Sequence, residues 1–174
     1  MANDFDVIVI GAGPAGYHCA IRSSQLGLKT AIVEKWLDSS GATAYGGTCL
    51  NVGCIPSKTL LEASHKFVEA RDEFGHIGIK LSKLSADIPA MMKRKDRVVS
   101  DLTAGVSSLL KSNKVEQYEG IAKVLCNGEV SIVMHNQEKA KLTAENIIIA
   151  TGSVPIDIKP VSYTHLTLPT ILLV

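Results

Sequence analysis

Cysteine, net charge, long apolar runs and basic N-terminal residues are all scarce in this 174-residue sequence. Four cysteines are too few for a disulfide scaffold, so a pair of them is better explained by redox or metal chemistry. A net charge of +1 provides no electrostatic case for binding nucleic acid or an anionic membrane. No apolar run approaches the roughly 18 residues that span a bilayer. Residues 1–6 carry two acids and no base, unlike a secretory or transit signal, so we expect a cytoplasmic protein.

The residues that are present have the composition of one soluble globular domain. Apolar residues make up 46% of the chain and charged residues 20%, and these values argue against disorder. A chain of this length buries roughly 70% of its unfolded surface, which is enough for a sizeable core.

The first 34 residues predict a βαβ unit. Residues 5–10 form an apolar, β-branched run typical of a buried strand, and residues 29–34 form a second one. Between them we expect a helix over residues 14–26, ended by Gly27. Strand, helix and strand in about 30 residues predict a parallel pair. The expected apolar face of the helix consists of Ala15, Cys19 and Leu26.

Helices and a meander are predicted beyond this unit. Residues 38–47 are rich in Ser, Gly and Ala and predict a loop, and helices are expected over 55–73 and 88–111. The dipeptide Asn127-Gly128 between two apolar runs predicts a hairpin, which a third strand at 139–143 extends. A separate buried strand is expected at 146–150. The apolar stripe of the longer helix is predicted to comprise Val98, Leu102, Val106, Leu109 and Leu110.

A glycine motif follows the first strand directly. Gly11, Gly13 and Gly16 fit G-x-G-x-x-G, with a strand before it, a helix after it, and Glu34 at the end of the second strand. The glycines allow a tight turn, a close backbone approach to a pyrophosphate, and close packing of the helix. The helix N-terminus favours the anion, and Glu34 can accept hydrogen bonds from a ribose. A glycine turn without ligand is the alternative, and the spacing does not separate FAD from NAD.

Cys49 and Cys54 lie five residues apart in a short segment. A ring this small removes little entropy from the unfolded chain, so redox chemistry explains the pair better than stabilisation does. Cys54 opens a predicted helix, where the dipole favours a thiolate, and Lys58 adds positive charge on the same face. Two buried structural thiols are the alternative. Zinc is disfavoured because the spacing is unusual and no further ligands lie nearby, so no metal is expected. Cys19 and Cys126 are expected to be core thiols.

At this point the chain resembles a known family. Residues 46–58, Gly-Gly-Thr-Cys-Leu-Asn-Val-Gly-Cys-Ile-Pro-Ser-Lys, resemble the redox motif of the flavin disulfide oxidoreductases, which include dihydrolipoamide dehydrogenase, glutathione reductase and mercuric reductase. Leu50, Ile55 and Ser57 resemble the dihydrolipoamide dehydrogenase branch most closely. The resemblance runs from about residue 4 to residue 160. It includes Ala150-Thr151-Gly152-Ser153, similar to the turn where the family's chain leaves the flavin domain. The loop at residues 36–45 is longer than in many members of that family, and we interpret it as a surface insertion without chemistry.

The resemblance implies an α/β fold, namely a Rossmann-like FAD-binding domain with a parallel sheet, helices and an inserted β-meander, incomplete relative to the family. Cys49 would exchange with the substrate, and Cys54 would face the isoalloxazine ring. Gly11, Gly13 and Gly16 would hold the pyrophosphate, and Ala122 would meet the adenine through its backbone. The residues expected at the cofactor are Gly11, Gly13, Gly16, Glu34, Lys35, Gly47, Thr48, Cys49, Lys58, Ala122, Ala150, Thr151, Gly152 and Ser153.

The activity implied is oxidation of protein-bound dihydrolipoamide, with electrons passing through the Cys49–Cys54 disulfide and FAD to NAD⁺. The partners implied are lipoyl-bearing proteins of 2-oxo acid dehydrogenase complexes, and the parent protein is expected to be a homodimer. A disulfide reductase of the glutathione or mercuric type, or a non-catalytic flavin-binding fragment, is the alternative. Family members add an NAD-binding domain and a dimerisation domain, so we interpret residues 1–160 as the first part of the flavin domain. Residues 161–174 do not continue the family pattern, and we interpret them as an artefactual tail.

Overall fold

A computed structural model describes residues 3–154, which form an α/β domain of five strands and four α-helices. A short 3₁₀ turn, Phe74–Ile77, follows the third helix. The tail at residues 161–174, and its expected boundary at residue 160, lie outside the described residues. In chain order the elements are β1 (Phe5–Ile10), α1 (Pro14–Gln25), β2 (Thr30–Glu34), α2 (Gly47–Asn51), α3 (Cys54–Asp72), α4 (Ile88–Ser112), β3 (Glu116–Val124), β4 (Glu129–Met134) and β5 (Lys139–Ile149).

The βαβ prediction is confirmed. β1 pairs in parallel with β2, with Val7 opposite Thr30, and its other edge pairs in parallel with β5. β2 in turn pairs in parallel with β3, which gives the sheet order β5-β1-β2-β3. Every residue of β2 is buried, as expected for a strand with neighbours on both sides and helices over one face. Gly27, at φ +87°, ends the turn after α1 as predicted.

An antiparallel meander, β3-β4-β5, shares its two outer strands with the parallel sheet. The first half of β3 pairs with β2, and the half that begins at Gly120 pairs with β4. At this change of partner β3 and β4 approach so closely that a Cβ on Gly120 would overlap the Val133 carbonyl. The predicted hairpin turn is present, and Asn127 and Gly128 both adopt the positive φ of a type I′ turn, +57° and +75°.

The end of the chain differs from the prediction. Two strands were expected, at 139–143 and 146–150, but β5 is one continuous strand from Lys139 to Ile149. It changes partner from β4 to β1 at Ala144 without a break in the backbone. The expected burial of its second half is also wrong in part, because Ile149 is 69% exposed.

Two apolar clusters form the core, one on each face of the parallel sheet. The helix-side cluster contains Val9, Ile32, Val106 and Leu110, and the meander-side cluster contains Ile8 and Ile132. The predicted stripe of α4 is correct at Val106 and Leu110 and wrong at Leu102 and Leu109, which are exposed.

The predicted apolar face of α1 is correct at Cys19, which packs against the helix-side cluster, and wrong at the exposed Ala15 and at Leu26, which is 63% exposed. The buried residues of α1 are Gly16 and Ala20. Small side chains there let the helix lie close to the sheet. Cys126 is exposed at the hairpin turn, so it is not a core thiol, whereas Cys19 is half-buried against the core.

Candidate functional site

The glycine loop joins β1 to α1, and its three glycines have different reasons for being glycine. Gly11 adopts φ +100°, and a Cβ there would overlap the Ala150 carbonyl. A Cβ on Gly16 would overlap the Gly11 carbonyl oxygen. Around Gly13, by contrast, the only atom of residues 3–154 that a Cβ would meet within 4 Å is the Gly47 Cα, at an ordinary 3.8 Å. The described part of the protein therefore requires glycine at positions 11 and 16, whereas position 13 has room for a side chain.

This geometry fits a pyrophosphate at the start of α1. Gly13 is the N-cap residue of α1. No side chain of the described residues caps the N–H groups of this helix, and the first turn of α1 contains no acidic residue. An uncapped N-terminus offers N–H donors and the positive end of the helix dipole to an anion. The open space beside Gly13 would let a phosphate group approach the backbone there. The residues present therefore fit the pyrophosphate of a dinucleotide.

Glu34 ends β2 and is buried, with 6% of its surface exposed. Its Oε2 accepts a hydrogen bond from the Ala12 N–H at 2.7 Å, 22 residues away in the chain. Its Oε1 accepts bonds from the Lys35 and Trp36 N–H groups at 2.7 and 2.8 Å. A carboxylate has about four acceptor positions, so one remains for a ribose hydroxyl, on the oxygen that faces the glycine loop.

The redox segment is docked directly onto the glycine loop. The Gly46 N–H donates to the Ala12 carbonyl at 2.8 Å, and α2 begins at the next residue. Gly47, at φ +59°, lies so close that a Cβ on it would be 2.7 Å from the Gly13 Cα. The Asn51 side chain closes α2 by donating to the carbonyls of Tyr45 and Gly47 at 3.2 and 2.9 Å.

Cys49 and Cys54 are brought together by the turn between α2 and α3. Both are free thiols in this structure, Cys49 half-buried and Cys54 exposed. A hydrogen bond with the Cys54 side chain, with partial burial and the Cys54 charge, raises the pKa of the Cys49 thiol. The Cys54 N–H and the Lys58 ammonium act in the opposite direction on that pKa. Cys54 is the first residue of α3, as predicted.

The other predicted cofactor residues fall into two groups. Ala150 and Thr151 lie beside the glycine loop, where the Ala150 N–H donates to the Ile10 carbonyl at 2.8 Å. Gly152 and Ser153 follow them in the exposed chain. Ala122 lies on β3, three residues beyond Glu119, which is the register partner of Glu34. The exposed Lys35 and Thr48 follow Glu34 and Gly47 directly.

The loop at residues 36–45 is not merely a surface insertion, as the sequence suggested. It forms one wall of a cleft of about 710 Å³, and α4 forms the opposite wall. Three buried polar atoms lining this cleft have no hydrogen-bond partner among the described residues, namely Thr43 Oγ1, the Tyr45 hydroxyl and His135 Nε2. Burial foremost, and then the charges of Glu119 and Glu34, raises the pKa of Tyr45, so its hydroxyl keeps its proton.

Sequence reasoning missed four residues of this site. Ala12 and Gly46 act through backbone groups, which leave no signature in a sequence. Asn51 had a detectable signal, because an asparagine at the end of a short helix often bonds nearby carbonyls. Tyr17 packs on the helix-side core, and burial, followed by the charge of Cys49, raises the pKa of its phenol.

Among the described residues, no helix is both long and apolar enough to cross a membrane. Within the same 3–154 range, no group of three or more His, Cys, Asp or Glu side chains is placed to hold a metal ion.

Sequence comparisons identify curated proteins that are similar to this chain. The chain is 47% identical to "Dihydrolipoyl dehydrogenase 2, mitochondrial" of Arabidopsis thaliana over 152 residues, which cover 87% of this chain and 29% of that protein. It is 47% identical to "Dihydrolipoyl dehydrogenase 3" of Pseudomonas aeruginosa, over 89% of this chain and 32% of that protein. It is also 47% identical to "Leghemoglobin reductase" of Vigna unguiculata, covering 87% and 28%. The chain thus spans less than a third of the length of these curated relatives.

A sequence profile for the family described as pyridine nucleotide-disulphide oxidoreductase matches residues 5–166, nearly the whole chain. The matched range contains the glycine loop, both cysteines and all five strands. The chain belongs to the pyridine nucleotide-disulphide oxidoreductase family.

Proposed function

We propose that the protein to which this chain belongs is an FAD-dependent dithiol oxidoreductase of the dihydrolipoyl dehydrogenase type. Its substrate is protein-bound dihydrolipoamide and its final electron acceptor is NAD⁺. One observation carries the proposal: the segment bearing Cys49 is docked on a nucleotide-binding glycine loop through the Gly46–Ala12 hydrogen bond. A thiol pair held against a dinucleotide site is the arrangement that electron exchange between disulfide and cofactor requires.

The site's own residues account for cofactor binding in this proposal. The uncapped start of α1 binds the pyrophosphate, and the open space at Gly13 lets it approach the backbone. Glu34 offers its remaining acceptor position to the ribose, and Ala122 lies along β3 where the adenine is expected. When bound, FAD supplies a two-electron acceptor whose own oxidant is NAD⁺.

The cysteines carry out the thiol chemistry. A substrate thiolate attacks Cys49 Sγ in the oxidised pair, the S–S bond breaks, and Cys54 leaves as a thiolate. The second substrate thiolate then attacks the substrate sulfur of the mixed disulfide and releases Cys49. The substrate has become a disulfide, and the two cysteines hold the electron pair. Lys58 favours the thiolate form of Cys49 because its charge lowers that pKa.

Lipoyl-bearing proteins of 2-oxo acid dehydrogenase complexes are the proposed partners, and the full-length protein is proposed to be a homodimer. The support comes from the relatives, two of which carry the name dihydrolipoyl dehydrogenase at 47% identity. A cytoplasmic location remains an expectation from the sequence.

The test uses the full-length parent protein. The wild type, Cys49→Ser, Cys54→Ser and Cys126→Ser are purified, and NADH formation is followed with dihydrolipoamide and NAD⁺. We expect loss of at least about 10³-fold in the two redox variants, because serine cannot form the disulfide, and no change in the exposed Cys126 control. A yellow wild-type enzyme that forms no NADH would contradict the dehydrogenase assignment.

The same preparations address the alternatives. Because one relative is named "Leghemoglobin reductase", a second assay uses leghemoglobin as the electron acceptor. Glutathione disulfide and Hg²⁺, each with NADPH, test the other reductase types. If one of these substrates is turned over faster than dihydrolipoamide, that activity replaces the one proposed. Flavin binding without turnover of any of them identifies a non-catalytic flavoprotein.

A further inference from the structure

We propose that Glu34 is a positioning residue for Cys49, and that it acts on the thiol before any nucleotide is bound. The inference goes beyond the ribose contact expected of this carboxylate. It rests on the proposed function only for the meaning given to Cys49, because the physical link can be measured without cofactor or substrate.

The link begins with three backbone hydrogen bonds to the Glu34 carboxylate. Three N–H donors reach it at 2.7–2.8 Å, from Ala12, Lys35 and Trp36. Bonds from neutral donors to a buried carboxylate are among the stronger hydrogen bonds in proteins. The side chain therefore fixes two separate stretches of backbone, the glycine loop through Oε2 and the start of the 36–45 loop through Oε1.

The first route to the thiol passes through Ala12, which is fully buried. Its N–H is held by Glu34, and its carbonyl accepts the Gly46 N–H at 2.8 Å. Gly46 is the N-cap residue of α2, and Cys49 lies three residues later in that helix. Two hydrogen bonds thus connect the carboxylate to the helix that carries the exchanging thiol.

The second route follows the chain itself. Glu34 Oε1 holds the N–H groups of Lys35 and Trp36, and the Trp36 carbonyl accepts the Ala44 N–H at 2.8 Å. This bond closes the 36–45 loop at its base, and Ala44 lies three residues before the start of α2. The Glu34 side chain thus holds both ends of the segment 36–46 that leads to α2. Loss of its hydrogen bonds should let α2 move away from the glycine loop.

The four cysteines allow this to be measured in the reduced, flavin-free chain. Cys49 is half-buried, and undocking of α2 would expose it to alkylation. Cys126, exposed at the hairpin turn, gives the reference rate. Cys19, half-buried in α1, reports any loosening of the whole domain. Rates with iodoacetamide are resolved residue by residue by mass spectrometry of quenched digests.

The matched control is Glu119. It is the register partner of Glu34 on the adjacent strand, it is exposed, and its carboxylate accepts no hydrogen bond within the described part of the chain. Glu119→Gln removes the same charge from the same neighbourhood without breaking the link. In Glu34→Gln the amide NH₂ must face at least one of the three N–H donors, so at least one bond is lost.

We expect Glu34→Gln to raise the alkylation rate of Cys49, relative to Cys126, at least about fivefold, because a lost charged hydrogen bond favours local opening. Glu119→Gln should leave it within about twofold, and Cys19 should stay unchanged in both. An unchanged Cys49 rate in Glu34→Gln overturns the proposal. An equal rise of the Cys49 rate in Glu119→Gln also overturns it, because the loss of charge alone would then explain the effect. A parallel rise of the Cys19 rate overturns it as well, because the whole domain would then be destabilised.

A second variant covers failure of Glu34→Gln to fold. Glu34→Asp keeps the charge but is one methylene shorter, so it cannot reach both stretches of backbone. Faster hydrogen exchange at the Gly46 N–H in Glu34→Asp than in the wild type supports the link, and equal exchange overturns it. Because neither measurement uses FAD, loss of the proposed dehydrogenase activity would leave these results unaffected.

Discussion

Gly47 faces Gly13 so closely that a Cβ on Gly47 would lie 2.7 Å from the Gly13 Cα. This contact brings the first residue of the redox helix against the N-cap residue of the nucleotide-binding helix. A phosphate bound at Gly13 would therefore also lie beside the start of α2. The nucleotide site and the thiol site share one backbone contact, and variants at either glycine should separate ligand effects from fold effects.

Gly13→Ala should weaken flavin binding without unfolding the chain. The added Cβ meets only the Gly47 Cα at 3.8 Å in the protein, but it occupies the space that a pyrophosphate needs. We expect FAD affinity to fall at least about tenfold, measured by flavin fluorescence titration. The free energy of unfolding, from urea titration, should change by less than about 1 kcal/mol.

Gly16→Ala is the contrasting variant, because its Cβ would overlap the Gly11 carbonyl oxygen. It should destabilise the fold by several kcal/mol, as overpacking and a forced backbone shift do. If Gly13→Ala binds FAD as tightly as the wild type, the assignment of the glycine loop to the cofactor is wrong.

Cys49 and Cys54 should form a disulfide in mildly oxidised, folded protein. The turn between α2 and α3 brings the Cys54 thiol close enough to raise the pKa of the Cys49 thiol, so the pair lies in one short segment of the folded chain. Mass mapping of the oxidised chain should recover the 49–54 link and leave Cys19 and Cys126 alkylated. Recovery of free Cys49 and Cys54 under conditions that oxidise a small dithiol would contradict the redox role proposed for this pair.

Lys58→Met should shift the pH profile of Cys49 alkylation to higher pH. The ammonium lowers the pKa of this thiol, so its removal raises that pKa and reduces the thiolate fraction at neutral pH. The reaction should slow at pH 7 and converge with the wild type at high pH, where both thiols are ionised. Lys66→Met is the control on the same helix, since Lys66 pairs with Glu62 at 2.8 Å. A shift of equal size in both variants would exclude a specific effect of Lys58.

The 174-residue chain alone should form essentially no NADH from dihydrolipoamide, even when loaded with FAD. The 174 residues contain one G-x-G-x-x-G motif, and we propose that it binds FAD. These residues therefore offer no second motif of this type for NAD⁺. NADH absorbance is followed beside a full-length relative at equal concentration. Turnover near that of the relative would mean that one nucleotide motif is sufficient.

The features predicted well from the sequence are those with local causes. The strand from Phe5 to Ile10 follows from the apolar, β-branched run at residues 7–10, and the turn at Asn127-Gly128 from two residues that tolerate positive φ. Cys54 was placed correctly at the N-terminus of α3, whereas the short helix α2 that carries Cys49 was not predicted.

The errors have tertiary causes. No local signal indicates that β5 changes partner at Ala144, since this depends on where β1 and β4 lie. Leu26 was wrongly predicted to lie on the buried face of α1 because the prediction used hydrophobicity alone. The helix lies close to the sheet, so its buried residues are the small Gly16 and Ala20. The Glu34–Ala12 bond joins residues 22 positions apart through a backbone donor. Such a bond follows from the register of β1 and β2.

The pairing of β1 with β5 also determines when this site can be completed during synthesis. Phe5 pairs opposite Ala144, so one edge of the first strand stays open until nearly 140 more residues have left the ribosome. Closing so long a loop is slow compared with forming the local βαβ unit. The glycine loop lies at the end of β1, and Ala150 contacts it only once β5 is in place. Nascent chains halted before residue 144 should therefore expose an apolar strand edge that chaperones can bind.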